Sequence, residues 1–133
     1  MRSIFELGYR YVFPAVMRML VEELERLGVR ESEIARMLGI PRSTVSRYLS
    51  GERGGRLDLS DVPEVALLVK RLAASVKEGA AGPEKVYLGV TEAALQALAA
   101  KVLCRQHALL DPRLDPERCS VCPTLFASRG GSA

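Results

Sequence analysis

The sequence predicts an all-α fold of about five helices. Apolar residues recur at steps of three and four along several segments, which is the pattern of helices with one buried face. Glycine follows three of these segments, at Gly28, Gly39 and Gly51, where helices commonly end. Aromatic residues make up only 5% of the 133 residues, so the core must consist mainly of aliphatic side chains.

The first three predicted helices lie in the N-terminal half of the chain. The first begins near Pro14, a residue suited to the first turn of a helix, and ends before Gly28. Two shorter helices follow over residues 31–38 and 42–50. The apolar face of the first helix consists of Phe13, Val16, Met17, Leu20, Val21, Leu24 and Leu27.

A fourth helix is predicted with Ser60 or Asp61 as its N-cap and Pro63 in its first turn. Its apolar stripe consists of Val62, Val65, Val69, Leu72 and Val76. The steps alternate between three and four, as in a coiled coil. The stripe therefore fits either a seam between two copies of the chain or one face of an intramolecular core.

The small residues 79–83 predict a boundary between a domain over residues 1–79 and a C-terminal element over residues 80–133. Within that element we expect an extended segment over residues 85–90. Thr91 then caps a long Ala-rich helix that runs toward Cys104. Residues 128–133 are expected to form a frayed tail.

Residues 31–51, ESEIARMLGIPRSTVSRYLSG, predict a helix-turn-helix. Ala35 is small enough to let two short helices cross, and Gly39 tolerates the positive φ that the turn requires. Leu38, Ile40, Val45 and Leu49 are expected to be buried. The outward residues of the second helix are then Arg42, Ser43, Thr44, Ser46 and Arg47, which are suited to phosphates and base edges in the major groove of DNA.

The charge distribution supports a nucleic-acid partner. Residues 41–56 contain four arginines and one acid, and they account for the whole net charge of +3. Arg53 lies in the glycine-rich stretch GERGGR, which we expect to form a flexible loop near DNA. We predict that Arg42, Ser43, Thr44, Ser46, Arg47 and Arg53 contact double-stranded DNA. A packing or protein-contact role for the same motif is the alternative.

Residues 33–51 resemble helix-turn-helix regulators of the Cro and phage-repressor type, the XRE class. The longer stretch over residues 13–54, about a third of the chain, resembles small archaeal predicted regulators that carry a C-terminal cysteine cluster. The resemblance implies that the helix beginning near Arg42 is the recognition helix and that the protein regulates transcription. Arg30 departs from the pattern, because a Ser or Thr N-cap is more usual there.

All three cysteines and the only histidine fall between Cys104 and Cys122, in the order C-x2-H, eleven residues, C-x2-C. This spacing predicts a metal site of Cys104, His107, Cys119 and Cys122, with zinc in a structural role because four protein ligands leave no open position. An iron–sulfur cluster, which would make the protein a redox or metal sensor, is the alternative. The alternative without a metal is that the cysteines are buried free thiols, or that Cys104 forms a disulfide with Cys119 or Cys122.

Other classes of function receive little support from the sequence. Phosphate-binding loops, dinucleotide motifs and a nucleophile with an orienting partner are not recognisable, so we expect no enzyme and no small-molecule substrate. Apolar runs are too short to span a bilayer, and Arg2, Glu6 and Arg10 interrupt the N-terminal one. We therefore expect a cytoplasmic protein. Because a lone helix-turn-helix makes few contacts with DNA, we also expect a homodimer that binds two DNA half-sites. A protein-binding adaptor is the competing class.

Overall fold

The computed structural model describes residues 1–130, and within that range the ordered elements are helical. The helices are α1 (Ile4–Leu7), a π-helical turn (Gly8–Val12), α2 (Phe13–Arg26), α3 (Glu31–Leu38), α4 (Arg42–Ser50), α5 (Pro63–Lys77), α6 (Pro83–Ala99), α7 (Cys104–Leu110) and α8 (Val121–Gly130). The all-α prediction is confirmed for these residues.

The chain is helical well before Pro14, which the sequence did not predict. Ser3 caps α1 by accepting a hydrogen bond from the N–H of Phe5 at 3.2 Å, and the helix continues through the π-helical turn into α2. Leu7 and Val12 are fully buried although they lie five residues apart. A π-turn contains more residues than an α-turn, so this spacing still places both side chains on the core side.

The three-helix unit α2, α3 and α4 agrees with the prediction. Gly39 and Gly51 end α3 and α4 with φ of 66° and 82°, and Gly28 after α2 has φ of 89°. These left-handed conformations are the ones that favour glycine at helix ends. Ile34 and Val45 are fully buried against the leucines and valines of α2, which form the centre of the core.

The valine stripe of α5 lies inside this core. Val62, Val65, Val69, Leu72 and Val76 are all at most 9% exposed within a single copy of the chain. Their apolar surface is already buried against α2 and α6, so it is not available to a second copy. The seam interpretation is wrong and the intramolecular one is correct. The N-cap position of α5 is occupied by Val62, so the predicted caps Ser60 and Asp61 are wrong.

Helix α6 corrects two predictions at once. It begins at Pro83, so residues 85–90 are helical rather than extended, and Thr91 lies in mid-helix rather than at a cap. Gly89 lets α6 approach α5 closely, because a Cβ there would stand 2.8 Å from Leu72 Cδ2. The helix ends at Ala99 and not at Cys104, which instead opens α7.

The C-terminal residues join the same core as the N-terminal helices. Ala93, Ala97 and Leu103 are buried in it, and Cys122 of α8 is 6% exposed. Helix α8 packs along α6 and continues to Gly130. The frayed tail predicted for residues 128–133 is thus helical in backbone as far as Gly130, and residues 131–133 lie outside the described range. The division near residues 79–80 stays a prediction.

Among residues 1–130, no single helix is long and apolar enough to cross a membrane. Helices α6 and α7 would reach the required length and composition only together, and they are bent by 71° at the break between them.

Candidate nucleic-acid interface and cysteine cavity

The outer face of α4 presents the arginines that the sequence singled out. Arg42, Ser43 and Arg47 are exposed, and Ser46 lies on the same side of the helix. Ser46 Oγ donates a hydrogen bond to Glu31 Oε1 at 2.8 Å, which ties α4 to the first residue of α3. Arg47 has its nearest acidic partner, Glu52, at 3.9 Å, so its guanidinium retains free donors.

Thr44 does not face outward, and this expectation is corrected. Its side chain is only 9% exposed, and it lies on the core side of α4 with Val45 and Tyr48. A helix advances about 100° per residue, so three positions in the first two turns are drawn into the packing with α2 and α3. Leu38, Ile40 and Leu49, expected to be buried, are half-buried.

Tyr48 anchors the C-terminal end of α4. Its ring is buried at 3% exposure, and burial raises the pKa of its phenol although the nearby charge of Arg53 opposes that effect. The Arg53 guanidinium lies 6.0 Å from the centre of the Tyr48 ring, within cation–π range. Arg53 also donates its backbone N–H to the Arg47 carbonyl at 3.2 Å. Arg53 therefore extends from the recognition helix in a defined position.

The loop over residues 51–56 is packed, contrary to the flexible loop predicted. Gly54 has φ of 80°, and a Cβ there would collide with the Pro14 carbonyl oxygen and stand 2.8 Å from Arg18 Cβ. Gly55 leaves similarly little space, since its Cβ would be 2.7 Å from the Gly51 carbonyl oxygen. Gly54 thus lets the loop lie directly on the first turn of α2, and Gly55 lets the loop fold closely on itself.

This packing forms a groove of about 310 Å³ between the N-terminal helix and the loop. We call it the arginine groove, because Arg10, Arg53 and Arg56 line it together with Tyr9, Tyr11, Phe13, Pro14, Tyr48, Glu52 and Gly54. Sequence reasoning assigned no role to Arg10. The signal that could have found it is the basic and aromatic run YRY at residues 9–11, which was not connected with α4.

The four predicted metal ligands come together at one place. Cys104, His107, Cys119 and Cys122 line a single cavity of about 20 Å³ with the apolar residues Ile4, Leu103, Leu114, Pro116 and Val121. We call it the cysteine cavity. All three cysteines are free thiols, so the two disulfides considered above are not formed. Two helices and the loop before α8 supply the four side chains.

The side chains around this cavity are not arranged as metal ligands. Within the part of the chain that the structure describes, no group of three or more His, Cys, Asp or Glu side chains has the geometry to hold a metal ion. His107 Nε2 lies 3.1 Å from the carbonyl oxygen of Arg2. Because a carbonyl only accepts, Nε2 is the donor of this hydrogen bond, and Nδ1 is the ring nitrogen left for another partner.

The surroundings of the cavity favour the protonated form of two of the thiols. Burial raises the pKa of Cys104, and it raises the pKa of Cys122 to about 11, with the neighbouring cysteines adding to the shift. A metal ion binds thiolate rather than thiol, so it would have to displace these protons.

The geometry of α2, α3 and α4 defines the class of the N-terminal part: it is a helix-turn-helix with α4 in the position of the recognition helix. Residues 16–59 match the family model of the homeodomain-like domain. The match spans about a third of the chain and covers α2 from Val16 onward, α3, α4 and most of the loop that follows them. Neither the curated proteins nor the solved structures yield a significant match. The chain therefore carries a homeodomain-like helix-turn-helix.

Proposed function

We propose that this protein is a sequence-specific DNA-binding transcription regulator that reads the major groove with α4. The observation that carries the proposal is the exposure of Arg42, Ser43 and Arg47 on the outer face of α4, in a homeodomain-like unit. Arginine donates paired hydrogen bonds to guanine, and Ser and Arg both bind phosphate oxygens. Val45 and Tyr48 on the opposite face of α4 are buried in the core and fix the position of the helix.

The test is the double variant Arg42→Ala, Arg47→Ala, measured against a binding site selected from random duplex DNA. Each lost base or phosphate contact is worth about 1–3 kcal/mol, so we expect the specific affinity to fall at least 30-fold. The matched control is Arg36→Ala. Arg36 is an exposed arginine of α3 that is paired with Glu33 at 2.7 Å, and its loss should leave the affinity within about twofold of the parent.

Circular dichroism and thermal unfolding must show that both variants stay folded. Equal affinities for the parent and the double variant, at matched salt concentration, would remove α4 from the interface. Failure of the parent to select any duplex would instead favour a protein-contact role for the helix-turn-helix.

The finer assignment to regulators of the Cro and repressor type belongs to the same proposal, and residues 33–51 support it. We also propose that the protein binds DNA as a homodimer on two half-sites about 34 Å apart, because a lone helix-turn-helix makes few base contacts. The valine stripe of α5 is excluded as its seam. Sedimentation at concentrations that saturate DNA measures the oligomeric state directly.

We further propose that the cysteine cavity holds one metal ion in a structural role, with Cys104, His107, Cys119 and Cys122 as its ligands. The convergence of all four side chains on one cavity supports this proposal, and an iron–sulfur cluster on the same residues is the alternative. His107 supports the same proposal, since metal-bound histidines usually donate their second ring N–H to a carbonyl or carboxylate. Zinc is the ion that a Cys3His set suits best, and when bound it would link α7 to α8.

Anaerobic purification followed by elemental analysis tests this assignment. We expect about one zinc per chain in the parent and loss of zinc in Cys119→Ser, with Ser120→Ala as the control on the adjacent residue. Iron with inorganic sulfide would replace the structural role with that of a sensor. Three titratable thiols and no metal would leave the buried-thiol interpretation in its place.

A further inference from the structure

We infer that the arginine groove binds a phosphate of the DNA backbone next to the recognition helix, so that the N-terminal π-helical turn is part of the DNA interface. The ligand is a phosphodiester of duplex DNA, and the binding residues beyond those of the helix-turn-helix are Arg10 and Arg56. The inference rests on the proposed DNA-binding function and extends its contact surface by one element.

The charge of the groove selects an anion. Three arginines line it together with one acidic residue, Glu52. The Glu52 carboxylate lies 3.9 Å from the Arg47 guanidinium of α4, so its negative charge is partly compensated there. In the described part of the chain, neither Arg53 nor Arg56 has a carboxylate within 4.0 Å, and Arg10 has only Glu6, at 3.9 Å. Arginines that lack a close carboxylate and share one concavity attract phosphate.

The groove is built in advance of binding. Gly54 seats the loop on the first turn of α2, and the Tyr48 ring supports the Arg53 guanidinium. The π-helical turn that carries Arg10 is held by the buried side chains of Leu7 and Val12, and Tyr9 stacks on Phe13 at its surface with ring centres 6.3 Å apart. The backbone around the groove is thus placed before binding, while the exposed side chains of Arg10 and Arg56 become ordered when a phosphate binds.

The position of the groove matches the path of a DNA strand. Arg53 follows α4 directly and is bonded through its backbone to Arg47, so the groove opens at the C-terminal end of the recognition helix. A helix lying in the major groove has a phosphate backbone beside it on either side. The strand that flanks the end of α4 is then the one that meets Arg53, Arg56 and Arg10.

The experiment measures the salt dependence of binding to duplex DNA by fluorescence anisotropy, for the full chain and its variants. Each phosphate contact contributes about 0.9 to the slope of log K against log salt. Arg10→Ala should therefore reduce the slope by about one, and the triple variant with Arg53→Ala and Arg56→Ala by two to three. Preference among DNA sequences should stay unchanged, because phosphate contacts carry no direct sequence information.

Arg2→Ala is the matched control. Arg2 and Arg10 share Glu6 as their ion-pair partner, but only Arg10 lines the groove. An Arg10→Ala slope equal to that of the parent and of Arg2→Ala would overturn the inference, while loss of binding in the Arg42, Arg47 variant would still uphold the proposed function. Saturable binding of inorganic phosphate or of a mononucleotide, lost in Arg10→Ala with no change in the DNA slope, would assign the groove to a free anion and would equally overturn it.

Discussion

Gly54 is the residue on which the arginine groove depends most directly. Its φ of 80° is unfavourable for any residue with a Cβ, and the Pro14 carbonyl oxygen and Arg18 side chain occupy the space where a Cβ would go. The backbone strain and the steric overlap are separate costs. They can be separated experimentally because another glycine of this chain has the first without the second.

We predict that Gly54→Ala lowers the free energy of unfolding by more than Gly28→Ala does. Gly28 has φ of 89°, but within the described residues no atom comes within 4 Å of its Cβ position, so Gly28→Ala reports the strain of about 1–2 kcal/mol alone. Denaturant titration at equal m-values measures both. Equal losses would mean that the loop moves away from Pro14 at no cost, and the groove would not be preformed.

Several residue-scale assignments could be made from the sequence because the residue type itself determines the backbone. Gly39 and Gly51 were predicted to end helices, and both have the left-handed φ that only glycine adopts easily. Thr44 shows the limit of such reasoning. A threonine in the first turn of a short amphipathic helix is compatible with either face, and only the packing of α4 against its neighbours decides between them.

At the scale of the elements, the sequence predicted α2 to α5 well, but it missed the helix before Pro14, the first half of α6, and α7 and α8 as separate helices. The region before Pro14 escaped notice because its buried residues Leu7 and Val12 are five apart, a spacing that belongs to a π-turn and not to the 3.6-residue period. Thr91 was mistaken for a cap because a capping threonine and a mid-helix threonine look alike in sequence. Pro83, the actual first residue of α6, was the more reliable signal.

The valine stripe of α5 yields a sharp element-scale prediction. Val69→Lys should unfold the protein rather than dissociate a dimer, because it places an unpaired charge at a position that is 2% exposed. The cost should be on the order of 3 kcal/mol or more. Leu67→Lys is the control on the same helix, since Leu67 is 49% exposed and its change should cost little.

Thermal unfolding and sedimentation of both variants distinguish the two interpretations of the stripe. A folded, monomeric Val69→Lys protein from a dimeric parent would restore the seam interpretation. A large fall in the midpoint temperature, with Leu67→Lys close to the parent, is the expected outcome.

At the scale of the whole molecule, the two ends of the chain meet. The Arg2 carbonyl accepts a hydrogen bond from His107, and Ile4 of α1 lines the cysteine cavity. The N-terminal ammonium is close enough to Asp111 to lower the pKa of that carboxyl. One end of the N-terminal helix therefore borders the cysteine cavity, and Arg10, only six residues beyond Ile4, lines the arginine groove. This proximity could not be predicted from the sequence, because it joins residues more than a hundred positions apart.

Asp111 is a titratable residue at this junction whose shifted pKa makes the stability of the fold depend on pH. Hydrogen bonds from Arg113, at 2.8 Å from Nε and 2.7 Å from Nη2, hold the pKa of the Asp111 carboxyl well below its usual range, and the N-terminal charge acts in the same direction. A carboxyl whose pKa is lower in the folded state stabilises the fold at pH values above its unfolded pKa, about 3.9. That contribution is lost as the pH falls below this value toward the folded pKa.

We therefore predict that Asp111→Asn lowers the midpoint temperature at pH 7 and that the gap between variant and parent narrows steadily below about pH 4. The narrowing follows because acid neutralises the parent's carboxylate while the amide of the variant does not titrate. Asp115→Asn is the control, since Asp115 is an exposed acid of the same loop whose nearest cation, Arg118, lies 3.7 Å away. Thermal unfolding followed by circular dichroism between pH 3 and 7 measures the effect, and hydrogen exchange locates it.

A gap that stays constant with pH would show that Asp111 acts through its shape rather than its charge. Faster exchange confined to α7, with α1 unaffected, would show that the two ends of the chain touch without stabilising each other.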